Sequence, residues 1–127
     1  MLAIFPVDGG DPGAACRAAL AAAEEARAAF IARFGARGLG IGIALHLGEV
    51  MYGNIGARER LVFTVIGHAV NEVCRVESLG KDLGVPLMTE RFAAATGRTD
   101  VRHLGARPLK GVTHPPSAVT LDRFAAL

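Results

Sequence analysis

Apolar positions recur along the chain with two periods, and the places where the period changes mark out its elements. Met1-Leu2-Ala3-Ile4-Phe5 is a short apolar run ended by Pro6, which reads as a buried strand. Gly9-Gly10 makes a loop, and Asp11-Pro12 is a good helix start, with Asp as N-cap and Pro at the first helical position. Cys16, Leu20, Ala23, Ala26, Phe30 and Phe34 then recur at helical spacing, predicting a helix to Phe34 with Gly35 as its left-handed terminator. Leu39, Ile41, Ile43 and Leu45 alternate with Gly40, Gly42, Ala44 and His46, the period of a strand.

Gly48 and Glu49 turn the chain. Strands are predicted over residues 50–55 and 61–66, joined as a hairpin through Ala57-Arg58-Glu59-Arg60. After Gly67 the period becomes helical as far as Leu83, with Gly84 as C-cap. A short strand over 85–88 and a small helix from Glu90 to Gly97 follow. Residues 101–104, 109–112 and 117–124 read as strands, the last two joined through His114-Pro115-Pro116. The pattern shows no repeat or linker, so the expectation is one α+β domain over residues 1–127.

Composition narrows the class and leaves the chemistry open. With 127 residues, 51% of them hydrophobic and 20% charged, the chain can bury a core and is not disordered. The net charge of +2 comes without a basic run or stripe and implies neither nucleic acid nor an anionic membrane; no nucleic-acid partner is expected. No stretch reaches the roughly 18 apolar residues of a membrane span, and Cys16 and Cys74 do not make a disulfide framework or a zinc site. The expected compartment is the cytoplasm.

Candidate chemistry concentrates between Ile41 and Glu77. Asn71 and Arg75 lie four residues apart on the predicted helix, so they share a face. An amide beside a guanidinium can bind an anionic oxygen and a neighbouring hydroxyl. Spacing alone favours a solvated face, with Arg75 pairing Glu72 or Glu77. His46, His103 and His114 lack metal-ligand spacing and read as structural or exposed, and His68 takes no role.

A run of short words shifts that balance. Gly42-Ile43-Ala44-Leu45-His46-Leu47-Gly48-Glu49-Val50, Gly53-Asn54-Ile55-Gly56, Phe63-Thr64-Val65-Ile66-Gly67, Val70-Asn71 and Arg75-Val76-Glu77 together resemble the signature block of the class III adenylate and guanylate cyclases. Leu2-Ala3-Ile4-Phe5-Pro6 resembles the family strand that follows a Gly-Asp-Gly turn, and Leu109-Lys110-Gly111-Val112 resembles its C-terminal hairpin. The resemblance implies a ferredoxin-like nucleotide cyclase fold with a mostly antiparallel sheet, its N-terminal portion missing, so that Met1 matches an interior residue of a longer domain. It implies a substrate, ATP, and a product, cyclic AMP. Asn71 would orient the ribose and Arg75 would stabilise charge on the phosphate as the 3′-hydroxyl attacks. Thr64 would face the purine, and Lys110 would contact the terminal phosphates. Relatives with Thr or Asp at the position of Thr64 generally use ATP, and guanylate cyclases tend to carry Cys.

The departures are as specific. The family holds two divalent ions, Mg²⁺ or Mn²⁺, on two aspartates that precede the point matching Met1, as does its adenine-reading lysine. Asp8 and Asp11 match neither aspartate. The expectation is therefore no metal held by this chain and no turnover by it alone. The family pairs two domains head to tail, which implies a homodimer. A regulatory or dimerisation module that kept the fold is the rival reading. A nucleic-acid-binding sheet is the other, and Tyr52 lacks the aromatic companions it would need.

Overall fold

The structure is a computed structural model that describes residues 2–7, 9–55, 62–83, 85–106 and 117–121. Helix α1 (Pro12–Phe34) starts where the sequence places it: the Asp11 carboxylate accepts from the Ala14 N–H at 3.3 Å, and Pro12 occupies the first turn. Its end differs. Gly35 stays right-handed and opens a 3₁₀ turn (Gly35–Arg37), and the left-handed residue is Gly38, at φ 73°.

Strands β1 (Ala44–Leu45), β2 (Met51–Ile55) and β3 (Val62–Ile66) lead into helix α2 (His68–Leu83). Strand β4 (Leu87–Thr89), helix α3 (Glu90–Thr96) and strands β5 (Val101–Ala106) and β6 (Ser117–Leu121) follow. Among the described residues the strands make a sheet in the order β1-β4-β6-β5 and a separate β2-β3 ribbon. The β1–β4 junction is parallel, and β4–β6 and β5–β6 are antiparallel, so the sheet is mixed with antiparallel pairing in the majority. The α+β architecture expected from the sequence is the one observed.

Neighbouring strand residues face opposite sides, and this divides the core in two. On one side Met88, Val119 and Leu121 pack with Cys16 and Leu20 of α1 and Phe92 of α3. On the other, Leu87 and Ala118 pack with Val76 and Leu79 of α2. Helices α1 and α3 thus cover one face and α2 the other. That is why β4 and the described side chains of β6 read as unbroken buried runs. Thr120, fully buried, donates its hydroxyl to the Pro86 carbonyl at 2.6 Å, so no polar atom is stranded there. Across the outside, Arg98 bridges Asp100 and, at 3.4 Å, Glu24 of α1.

Several expectations shift. Residues 2–5 form no strand: they pair with no described strand, and Leu2 and Phe5 remain 47% and 39% exposed. An apolar run becomes a strand only when a neighbour takes up its backbone hydrogen bonds. The long strand expected over 39–46 shrinks to Ala44–Leu45, because its parallel partner offers only Leu87 and Met88 in register, with Leu87 N–H donating to the Ile43 carbonyl at 3.1 Å. Strand β4 begins after Pro86, which has no N–H to give a ladder. Strand β5 runs on to Ala106 through a bulge between His103 and Gly105. The 57–60 loop, Gly84, the expected strand at 109–112 and the 114–116 turn lie outside the described residues. No described helix is long and apolar enough to cross a membrane.

Candidate functional site

The β2-β3 ribbon delivers the chain to α2. Strand β3 ends at Ile66, and Gly67 then adopts φ 144°, a conformation that glycine alone takes without strain. A Cβ there would also stand 3.2 Å from the Glu49 carbonyl. The turn lets α2 start at once, and the Asn71 N–H closes its first hydrogen bond onto the Gly67 carbonyl at 3.4 Å.

Asn71 and Arg75 therefore sit one turn apart near the start of α2, and both are exposed. Among the described residues Arg75 enters no ion pair; of its two expected surface partners, Glu72 and Glu77, Glu72 is engaged with His46. Thr64 lies on β3 opposite Gly53, three residues before the Gly67 turn. Lys110 lies outside the described residues. The structure thus brings Asn71 and Arg75 together on one helix face, with Thr64 on the strand that feeds that helix.

A groove of about 1030 Å³ opens beside the first turn of α2, lined by His46, Gly48, Met51, Ile66, Glu72 and Thr89 among others. Neither Asn71 nor Arg75 lines it, so the groove and the candidate catalytic face are separate features of one helix end.

Within the groove is a polar chain that the sequence reading passed over. The His46 Nε2 is 3.0 Å from the Glu72 carboxylate, and its Nδ1 is 2.9 Å from the Thr89 hydroxyl. Thr89 caps α3 by accepting from the Phe92 N–H at 3.4 Å. Burial pulls the His46 imidazole below its ordinary value; the Glu72 charge opposes this and the Arg91 charge adds to it. One signal for His46 was present: it alternates in phase with Ala44, whose face packs against α2. Its partners, 26 and 43 residues away, left none.

Elsewhere, His103 meets Glu90 at 3.2 Å on the exposed surface. Cys16 is buried, which pushes its thiol up, and Cys74 is exposed. Among the described residues no group of three His, Cys, Asp or Glu side chains could hold a metal ion.

No family model matches the chain. Adenylate cyclase 1 of Rhizobium meliloti is 36% identical over 102 residues, which cover 76% of this chain and 15% of that protein. The adenylate cyclase of Anabaena cylindrica is 40% identical over 50 residues, 39% of this chain and 10% of that protein. Among solved structures, the adenylyl cyclase CyaB from P. aeruginosa superposes with a TM-score of 0.69 at 25% identity, over 91% of this chain and 62% of that one. The guanylyl cyclase Cya2 superposes with a TM-score of 0.58 at 28% identity, over 84% of this chain and 57% of that one. The chain thus spans less than two thirds of each of these proteins.

Proposed function

From a chain that shares its sequence block and its fold with the class III adenylyl and guanylyl cyclase catalytic domains, we infer that the protein carrying it converts ATP into 3′,5′-cyclic AMP and pyrophosphate. The observation that carries this reading is the Asn71–Arg75 pair, solvent-facing on α2 directly after the Gly67 turn. In the reaction the ribose 3′-oxygen attacks the α-phosphorus, and the bond to the β-phosphate oxygen breaks. Negative charge grows on the α-phosphoryl oxygens. Arg75 would stabilise that charge as a fixed cation, and Asn71 would orient the ribose by its amide. Lys110 would hold the terminal phosphates.

Thr64 supports adenine as the base, since its hydroxyl can accept from the exocyclic amino group. The names of the Rhizobium and Anabaena relatives agree. The likeness to Cya2, a guanylyl cyclase, means that fold alone does not choose the base. Mg²⁺ or Mn²⁺ would be expected in a full domain, where it would supply charge to the nucleotide phosphates, but the described residues offer no cluster that fits one.

A homodimer is part of the reading, because Asn71 and Arg75 stand on an open surface that a second domain could close. ATP as substrate supports a cytoplasmic site of action.

The test is cyclic nucleotide formation by the full-length protein with magnesium or manganese, from ATP and from GTP. Cyclic AMP should be the main product. Asn71→Ala or Arg75→Ala should each lower kcat by about 10²-fold or more with KM nearly unchanged, as expected for a group that acts on the transition state. Lys110→Ala should raise KM as well. Activity that survives Arg75→Ala would return that arginine to a solvated surface role, and equal use of GTP would remove Thr64 as a base reader. A protein with no activity towards either nucleotide would leave the regulatory or dimerisation module as the reading.

A further inference from the structure

We propose that His46 is a positioning residue: by holding Glu72 it fixes the first two turns of α2, and with them Asn71 and Arg75, against the sheet. The proposal rests on the cyclase reading for its effect on rate, and on geometry alone for its effect on the helix.

Helix α2 is anchored unevenly. Val76 and Leu79 are buried against Leu87 and Ala118, but none of residues 68–75 is buried. The half of the helix that carries Asn71 and Arg75 is therefore seated less deeply than its other half: Ala69, Val70 and Val73 are only half-buried. Two further ties bear on it. Ala69 packs on Gly48, so closely that a Cβ at Gly48 would come within 2.6 Å of the Ala69 Cβ. The second is the 3.0 Å contact between His46 and Glu72. A packing contact resists approach but permits rotation about the helix axis. A directed hydrogen bond resists rotation as well. Glu72 follows Asn71 by one residue and precedes Arg75 by three, so whatever fixes its carboxylate fixes the azimuth of both.

The hydrogen-bond polarity is consistent along the whole chain. A carboxylate only accepts, so His46 Nε2–H is the donor to Glu72. The Thr89 oxygen accepts from Phe92 N–H, and its own O–H is free to donate to His46 Nδ1 when the ring is neutral. The imidazole is thus held at both nitrogens, and burial favours its neutral form. Its far end is fixed to Thr89, only 6% exposed and the cap of α3. The helix that carries the candidate catalytic pair is hydrogen-bonded through one ring to the rigid start of α3. The Glu72 end is half open to solvent, and the His46 side chain is 10% exposed. The tie is shielded on the sheet side and weaker than a fully buried one.

The experiment compares the full-length protein with its His46→Ala, His46→Gln and Glu72→Ala variants by amide hydrogen exchange and by steady-state kinetics. In His46→Ala and Glu72→Ala, exchange should accelerate over residues 71–76, while the buried strand β4 keeps its protection. Glutamine, which can place an N–H near the position of Nε2, should restore much of the protection. Loss of one charge-assisted hydrogen bond should lower kcat about tenfold and leave KM within about twofold. His46→Gln should recover part of that loss, which a merely structural defect would not do. Because Glu72 is largely outside the core, its variant reports even if His46→Ala folds poorly. Unchanged exchange over 71–76 in both alanine variants overturns the proposal. So does accelerated exchange with unchanged kcat. If the protein forms no cyclic nucleotide at all, the functional reading falls by itself, and the exchange data still decide whether His46 holds α2.

Discussion

His46 joins β1, α2 and the start of α3, and its protonation state reaches beyond its own position. Burial lowers its proton affinity more than the Glu72 carboxylate raises it, and Arg91 of α3 lowers it further. Glu49, His68 and Glu90 line the same groove and share its field. With the folded value below the ordinary 6.5, the unfolded chain binds the proton more readily. The stability this contributes is complete above 6.5 and is lost as pH falls through the lower, folded value. The melting temperature should therefore drop on acidification from about pH 7 to about pH 5.5. His46→Gln, which cannot titrate, should flatten that drop. Parallel pH profiles for the two proteins, followed by circular dichroism, would show that His46 carries no such linkage. The alternation of Ala44 and His46 already told which face His46 would take. That Glu72 and Thr89 would be waiting there depended on how α2 and α3 pack.

At the scale of the element, the helices are only as buried as their partners allow. In α1 the spacing from Cys16 to Phe34 suggested one continuous apolar face, yet burial is confined to Gly13, Cys16, Ala19 and Leu20. Helix α3, which it packs against, has seven residues and covers only that first part. Phe30 and Phe34 instead pack against each other, their rings tilted by 48° with 5.0 Å between centres. The close seat of α2 on the turn before β2 has a sharper consequence. Gly48→Ala would force its Cβ to 2.6 Å from Ala69 and 3.2 Å from His46 Nε2, so helix or ring must move. Overpacking of this kind costs about 1–3 kcal/mol. Gly40→Ala, with nothing within 4 Å of the added carbon, is the matched control and should change stability by less than about 0.5 kcal/mol. Urea denaturation of both variants decides: equal midpoints would mean that the contact yields without cost.

For the molecule as a whole, what stands out is apolar surface. Leu2, Ile4, Phe5 and Val7 are exposed, as are Leu39 and Ile41. Met51 and Ile66 face each other across the β2-β3 ribbon, at 72% and 47% exposure. Surfaces of this kind favour association. Sedimentation at micromolar concentration should show a dimer or larger species, and Met51→Glu should shift it towards monomer with little effect on folding, since that side chain is mostly in water already. A monomer in the parent chain would count against the homodimer. The 127-residue chain by itself, given ATP and magnesium, should make no cyclic AMP above background. Synthesis by it would require a metal site that the described residues do not form.

Local physics is legible in local sequence. Asp11 and Pro12 had to start a helix, Gly67 had to end a strand, and Asn71 and Arg75 had to share a helix face. Each follows from backbone geometry or a contact within a few residues. The signature words pointed to the cyclase fold because several local requirements recur together in fixed order. Tertiary structure decided what depends on a distant partner. Leu2–Phe5 forms no strand because no described strand pairs with it, and the expected strand over 39–46 keeps two residues because β4 offers only two in register. The division of the core into two faces was set by which helix landed on which side of the sheet. So was the chain of contacts from Glu72 through His46 to Thr89, since a hydrogen bond across 26 or 43 residues exists only once both ends have been packed into place.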